Sequence, residues 1–367
     1  MDSSASKPTL LLYAIVIIAA VLGAAYFYSR QRAGSDQKQW EKLTKEVKIF
    51  HQQGNYEKTI ETFKAAVRFA PTKYHESEVK RHMAGILMVR NLPGDRIEAV
   101  RLFKEVVNDN MAQAKEKALA LSDMAFAFTT TGENEGFMRQ VVFNEEPYAT
   151  YLRESKTGIY GGLRRLYEES DKFFPTAFAK LGIADNYALP LFAGKTDAGL
   201  TPLDTAKLIK KTVDEAIPLM DDLPYENLVI AHMYLMRATS LSVTQMFIKD
   251  VVMEEIENAY KRAITTAEKV IASDDRLDSQ HVPPTLAISR LFYAMTLTRV
   301  FGKTRVDDIA TLLKPIINRE AGYEAAISYI KNANARQSSA LSKKRLISIS
   351  KLVPEFRKLL QNLGWNI

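Results

Sequence analysis

Residues 40–71 read WEKLTKEVKIFHQQGNYEKTIETFKAAVRFAP, and this stretch decides the fold. Leu43, Val47 and Phe50 follow Trp40 at helical spacings, which places them on one face of an α-helix. Gly54-Asn55 breaks the pattern, and a second run then sets Ile60, Phe63, Ala66 and Val67 on one face before Pro71 stops it. Two amphipathic helices joined by a glycine turn form a hairpin that cannot bury its apolar faces alone, so it must stack on neighbours. No strand-like alternation occurs in the chain, and neither Asn-Gly nor Asp-Gly is present to turn a β-hairpin. The fold class expected is all-α.

The same grammar returns downstream. Met83, Ile86 and Leu87 precede Gly94-Asp95, after which Ala99, Val100, Phe103, Val106 and Val107 fill a second helix. Leu121, Met124, Ala125 and Phe128 precede Gly132-Glu133. The turn glycines Gly54, Gly94 and Gly132 lie 40 and 38 residues apart. These residues resemble the tetratricopeptide repeat family, whose hairpins of about 34 residues carry Trp-x2-Leu-Gly-x2-Tyr, then Ala-x3-Phe and a closing Pro. Gly54-Asn55-Tyr56, Phe63, Ala66 and Pro71 match that pattern, as do Asp95, Ala99 and Phe103. Gly158-Ile159-Tyr160, Tyr167 and Pro175 repeat the spacing of the first unit, and Phe178, Leu181-Gly182 and Tyr187 resemble another opening helix. The longer periods, and the 26-residue step from Gly132 to Gly158, imply a divergent solenoid of unequal hairpins.

The repeat region is expected over 40–190. Ala188–Pro202 is the expected boundary, followed by a divergent helical region over 191–367; a continuous stack across it fits the sequence equally well. Thr201-Pro202-x-Asp204 is a helix start, with proline in the first turn and an acid at the positive end of the dipole. Residues 225–249, 252–273, 284–301 and 305–318 read as four more helices.

The N-terminus carries a different signal. No side chain between Pro8 and Ser29 is charged, and Leu10–Tyr28 is almost wholly apolar. About 20 such residues span a hydrocarbon core of roughly 30 Å. Tyr26, Phe27 and Tyr28 stand where aromatic rings favour the interface, and Arg30 and Arg32 follow as the stop. A single transmembrane helix is therefore expected over 9–29, after a tail at 1–8 and before a polar linker at 30–39. The competing reading is a cleaved signal peptide ending near Ala25, against which the apolar run is long. Basic residues after the span favour a cytoplasmic C-terminal part, although anchors that export large domains carry them too, so the side stays open. Ala19/Gly23 and Ala20/Ala24 would let two spans pack closely, but Ala-rich helices produce such pairs by chance and leave a homodimer unsupported.

The search for chemistry returns little. The 367 residues include no cysteine, which excludes a disulfide framework, thiolate metal sites and a cysteine nucleophile. Five histidines show no HExxH spacing, and His75 and His82 lack an acidic neighbour to complete a metal site. Gly194-Lys195-Thr196 and Gly302-Lys303-Thr304 resemble the end of a phosphate-binding loop, but leucines at 189 and 297 stand where its first glycine is required. Asp221-Asp222, Asp274-Asp275 and Asp307-Asp308 border helices, as capping acids do, and no GxSxG elbow exists. No cofactor, metal or catalytic residue is assigned, and an enzyme is not expected.

Net charge is +7, with basic and acidic residues interleaved along the chain as on solvated helix faces. The one basic concentration is Lys343, Lys344, Arg345, Lys351, Arg357 and Lys358, opposed only by Glu355. Ile349, Leu352, Val353, Phe356, Leu359, Leu360 and Leu363 share a face there, so this basic amphipathic segment either closes the array or touches an anionic surface or partner.

Resemblance to the repeat family implies a groove, lined by the first helix of each hairpin, that binds segments of other proteins. By correspondence its candidate residues are Glu41, Thr44, Lys48 and His51, then Arg81, Ala84, Met88 and Asn91, then Ser122, Phe126 and Thr129. Thr44, Ala84 and Met88 do not supply the lysine–asparagine set with which some family members clamp a terminal carboxylate. The expected function is a membrane-anchored scaffold, an accessory or assembly subunit of a membrane-associated complex that meets proteins through the groove and the membrane through 9–29. Nucleic acid is not an expected partner. The alternatives are a solenoid enzyme, which needs a convergent acid pair, and a basic nucleic-acid or anionic-lipid binder, which needs a one-sided Lys/Arg stripe.

Overall fold

The computed structural model describes residues 35–131, 135–197, 199–220, 228–273, 282–334 and 340–367. Every regular element among them is helical, and no strand occurs among the described residues. The expected first hairpin is α1 (35–52) and α2 (Tyr56–Phe69). Gly54 turns between them at a φ of 68°, a backbone conformation open mainly to glycine, and the Asn55 side chain caps α2 by accepting from the Lys58 N–H at 3.2 Å. Trp40, Leu43, Val47, Ile60, Phe63 and Ala66 are all buried, as their spacing predicts.

Next come α3 (Lys73–Arg90), α4 (Asp95–Asn108) and α5 (Ala114–Thr131). A short α6 (Glu135–Phe137) runs into a π-helical turn, Met138–Val142, and α7 (Tyr148–Arg153) leads to α8 (Ile159–Phe173) and α9 (Ala177–Phe192). The chain continues through α10 (Pro202–Met220), α11 (Leu228–Thr244), α12 (Met253–Ile271), α13 (Pro283–Phe301) and α14 (Val306–Ile317). It closes with α15 (Glu324–Asn334), α16 (Ala340–Ser350) and α17 (Pro354–Asn362). Thr201 caps α10 as its sequence predicts, its hydroxyl accepting from the Asp204 N–H at 3.1 Å.

The helices pack in an alternating order. α3 touches α5, α5 touches α9, α9 touches α11, and α11 touches α13. Each of these contacts is bridged from the side: α4 lies against α3 and α5, α8 against α5 and α9, α10 against α9 and α11, and α12 against α11 and α13. The partner of α5 is thus α8; α6, the π-helical turn and α7 intervene, which accounts for the broken period after Gly132. Gly132 itself lies outside the described residues. One hydrophobic core runs from Trp40 to Trp365 without interruption. Residue 191, where the sequence divides most readily, sits in the last turn of α9, and α9 packs on both α10 and α11.

Three expectations change. The single-pass membrane assignment is corrected: among the described residues no helix is long and apolar enough to cross a membrane. Among the longest helices, α10 carries Asp204, Lys207, Lys210, Lys211, Asp214 and Glu215 along its 19 residues. The tail at 1–8 and the stretch 9–29 that prompted the assignment lie outside the described residues. The linker expected at 30–39 is also shorter, because the chain is already helical at residue 35 and Gln37 donates to Glu41 one turn on at 2.9 Å. Finally, the basic C-terminal segment is two helices, not one. Ile349, Phe356 and Leu360 are fully buried, α16 packs on α13, and α17 packs on α16 and α14. Most of the segment's apolar face is spent on the protein's own core.

Candidate binding surface and cavity

The predicted groove residues take different roles. Lys48 is exposed on α1 and His51 is half-buried beside it. Glu41 is exposed, and the Thr44 hydroxyl donates to the Trp40 carbonyl at 3.0 Å. Arg81 is committed to helix packing: its Nε donates to Glu116 Oε2 at 2.9 Å and its Nη1 to Asp123 Oδ2 at 3.1 Å. That fork ties α3 to α5 with the Arg81 side chain only 14% exposed. Burial nevertheless pushes the Asp123 carboxyl up, outweighing the pull of Arg81.

Ala84 is fully buried and Met88 packs half-buried against the core. Asn91 ends α3 in the left-handed region at a φ of 55°, donating its N–H to the Leu87 carbonyl at 3.0 Å, so its role is a helix cap. Ser122 faces α8, where its hydroxyl meets Ser170 Oγ at 2.8 Å. The side chain of Thr129 lies outside those described.

Phe126 is different. Its ring meets Phe178 of α9 edge-on at 5.2 Å and His232 of α11 at 4.8 Å, joining three helices that touch in series. Burial lowers His232 to about 4, which keeps the imidazole neutral at physiological pH. Nearby on α9, Asp185 is 8% exposed, and burial raises its carboxyl to about 7. Lys48, at the far end on α1, and Asn91, at the tip of α3, do not join this aromatic step.

A second feature was not assigned from the sequence. A cavity of about 500 Å³ lies among α8, α9, α11, α12, α13, α15 and α16. Much of its wall is hydroxyl-bearing: Thr239, Ser242, Tyr260, Thr296, Tyr329 and Ser342. Ser242 Oγ meets Thr296 Oγ1 at 2.8 Å, Thr296 Oγ1 reaches the Tyr260 hydroxyl at 3.5 Å, and the Tyr329 hydroxyl donates to Ser342 Oγ at 3.0 Å. Phe192 and Phe292 supply apolar wall, and Lys195, set by the turn at Gly194, completes the lining on one side.

The charge in this cavity is one-signed. Arg345 stacks on Phe192, its guanidinium carbon 4.4 Å from the ring centre, and its Nη2 reaches only the Met246 sulfur, at 3.0 Å. Burial first, then repulsion from Arg299, lowers Arg345 to about 10, so it remains a cation at neutral pH. Arg299 stands behind the wall, donating through Nη2 to Gln245 Oε1 at 2.7 Å and to the Ser242 carbonyl at 3.3 Å, while its Nε is buried without an acceptor. Among the described residues no carboxylate pairs with either arginine. The sequence held one clue: hydroxyl-bearing residues recur along α11, as Thr239, Ser240, Ser242 and Thr244, and along α13, as Ser289, Thr296 and Thr298.

Chemically, the Phe126 step offers apolar and aromatic contact, and the cavity offers hydroxyl donors around an unmatched guanidinium. Among the described residues no three of His, Asp and Glu converge as a metal site requires. Both Gly-Lys-Thr segments begin at turns, with Gly194 and Gly302 at φ of 77° and 53°. Asp307 and Asp308 lie in the first turn of α14, where Asp308 also pairs with Arg305; the other two aspartate pairs lie outside the described residues. No family model, no curated protein and no solved structure matches this chain.

Proposed function

We propose that this chain is a divergent, tetratricopeptide-like helical array that acts as an interaction scaffold, an accessory or assembly subunit holding a segment of another protein. The observation that carries the proposal is the alternating packing order. α3, α5, α9, α11 and α13 touch in series, with a bridging helix at each step. Such an order lays one helix of each pair along a continuous face, the arrangement that repeat proteins use for extended partners. Phe126, Phe178 and His232 lie across three of those helices and supply an aromatic anchor of the kind that dominates protein interfaces. The partner segment is one that brings an apolar or aromatic side chain to that step.

Affinity capture combined with cross-linking mass spectrometry tests this. Phe126→Ala with His232→Ala should deplete a specific captured protein, and its cross-links should map to the α5–α9–α11 face. Ile97→Ala, an exposed change on α4, should leave capture intact. An identical captured set for both variants would count against the scaffold face.

A further inference from the structure

We propose that the cavity around Arg345 is a binding site for a small organic acid, one carrying a carboxylate head on an apolar, ring-sized body. This goes beyond the scaffold proposal and does not depend on it.

The charge balance is the first ground. A guanidinium removed from water is ordinarily matched by a carboxylate, as Arg81 is here by Glu116 and Asp123, and as Arg90 is by Asp95 at 2.6 Å. Arg345 is packed between the Phe192 ring and the Met246 sulfur with no such partner among the described residues, and Arg299 adds a second cation behind it. A monoanion entering the cavity supplies the missing charge. The guanidinium fork matches a planar carboxylate in a bidentate pair.

The second ground is the wall. The hydroxyls of Ser342 and Tyr329 on one side, and of Ser242 and Thr296 on the other, are bonded to one another at the wall and can exchange those bonds for an oxyanion. The third is shape. At about 500 Å³ the cavity falls within the range that holds small ligands. Phe192, Phe292 and Leu189 offer an apolar body its contact surface, while Lys195 adds positive charge that draws an anion in.

The probes are naphthoate and its uncharged isostere naphthamide, titrated into the full chain by calorimetry. Naphthoate should bind at least about tenfold more tightly than naphthamide, the margin that a charge-assisted pair supplies. Arg345→Met should remove that preference, whereas Lys344→Met, the same change of charge on the exposed neighbouring position, should retain it. Since Arg345 has no carboxylate partner among the described residues, the methionine variant strands no buried acid. If that variant nevertheless fails to fold, the contrast between the two probes on the native chain still decides the matter. Absence of naphthoate binding, equal affinity for the amide, or a preference that survives in folded Arg345→Met would each overturn the proposal.

Discussion

Gly182 is the sharpest place to test the packing. A Cβ added there would lie 2.6 Å from the Cδ1, Cε1 and Cζ atoms of Tyr167, far inside van der Waals contact. The ring cannot step aside into water: Tyr167 is 1% exposed and is held edge-on by Phe178 at 5.9 Å. Relief requires α8 and α9 to separate by about 1 Å, since carbon contacts prefer roughly 3.5–4 Å. Overpacking of this kind costs about 1–3 kcal/mol, while alanine gains about 1 kcal/mol over glycine in a helix interior. Gly85 in α3 isolates the second effect, because a Cβ there meets nothing within 4 Å. Gly85→Ala should therefore stabilise by about 1 kcal/mol, and Gly182→Ala should fall below it by about 1–3 kcal/mol. Urea unfolding followed by far-UV circular dichroism reads both midpoints. Gly182→Ala as stable as Gly85→Ala would refute the close α8–α9 approach.

Other consequences follow from individual side chains. Because burial raises Asp185 to about 7, the native chain loses stability as pH rises from the usual carboxylate range to that value, where the unfolded chain ionises before the folded one. Above it both states are ionised and the cost is constant, and below the usual carboxylate range both are protonated and no cost remains. Asp185→Asn should accordingly exceed the native chain in stability at about pH 8, by an amount on the order of 3 kcal/mol, with the gap closing toward about pH 4 in thermal melts. Asn91→Ala should lose about 1 kcal/mol from the strain of the left-handed cap while Asn91→Gly loses nothing, and partner capture should be equal for both. Leu360→Ala should cost about 2–5 kcal/mol in denaturant unfolding, as a fully buried leucine does; a neutral result would mean that α17 does not close the core.

The first hairpin was legible because its signals are local. Trp40 to Ala66 alternate at helical spacing, Gly54 supplies the positive φ, and Pro71 ends the run; each acts within a few residues of itself. The start of α10 at Thr201-Pro202 was legible for the same reason. The candidate site was much less so. Arg81 sits at a groove position by correspondence, yet carboxylates 35 and 42 residues away claim its guanidinium. Asn91 fits a groove pattern too, but the backbone at the end of α3 uses it as a cap. Phe126 combined the predicted position with ring contacts on two further helices. Arg345 was visible only as one member of a basic run, since nothing near it in sequence indicates that Phe192 and Ser342 would share a wall with it.

Periodicity and turn residues, read from the chain alone, establish that it is helix after helix and where most helices begin and end, because helix formation and capping are short-range. Which helices touch, which polar groups are thereby matched, and which are left over depend on contacts between residues as distant as Phe192 and Arg345. That is why the continuous core, the commitment of Arg81 and the unmatched cation in the cavity emerge only from the tertiary structure: burial decides whether a charge must find a partner, and burial is a property of the packed chain.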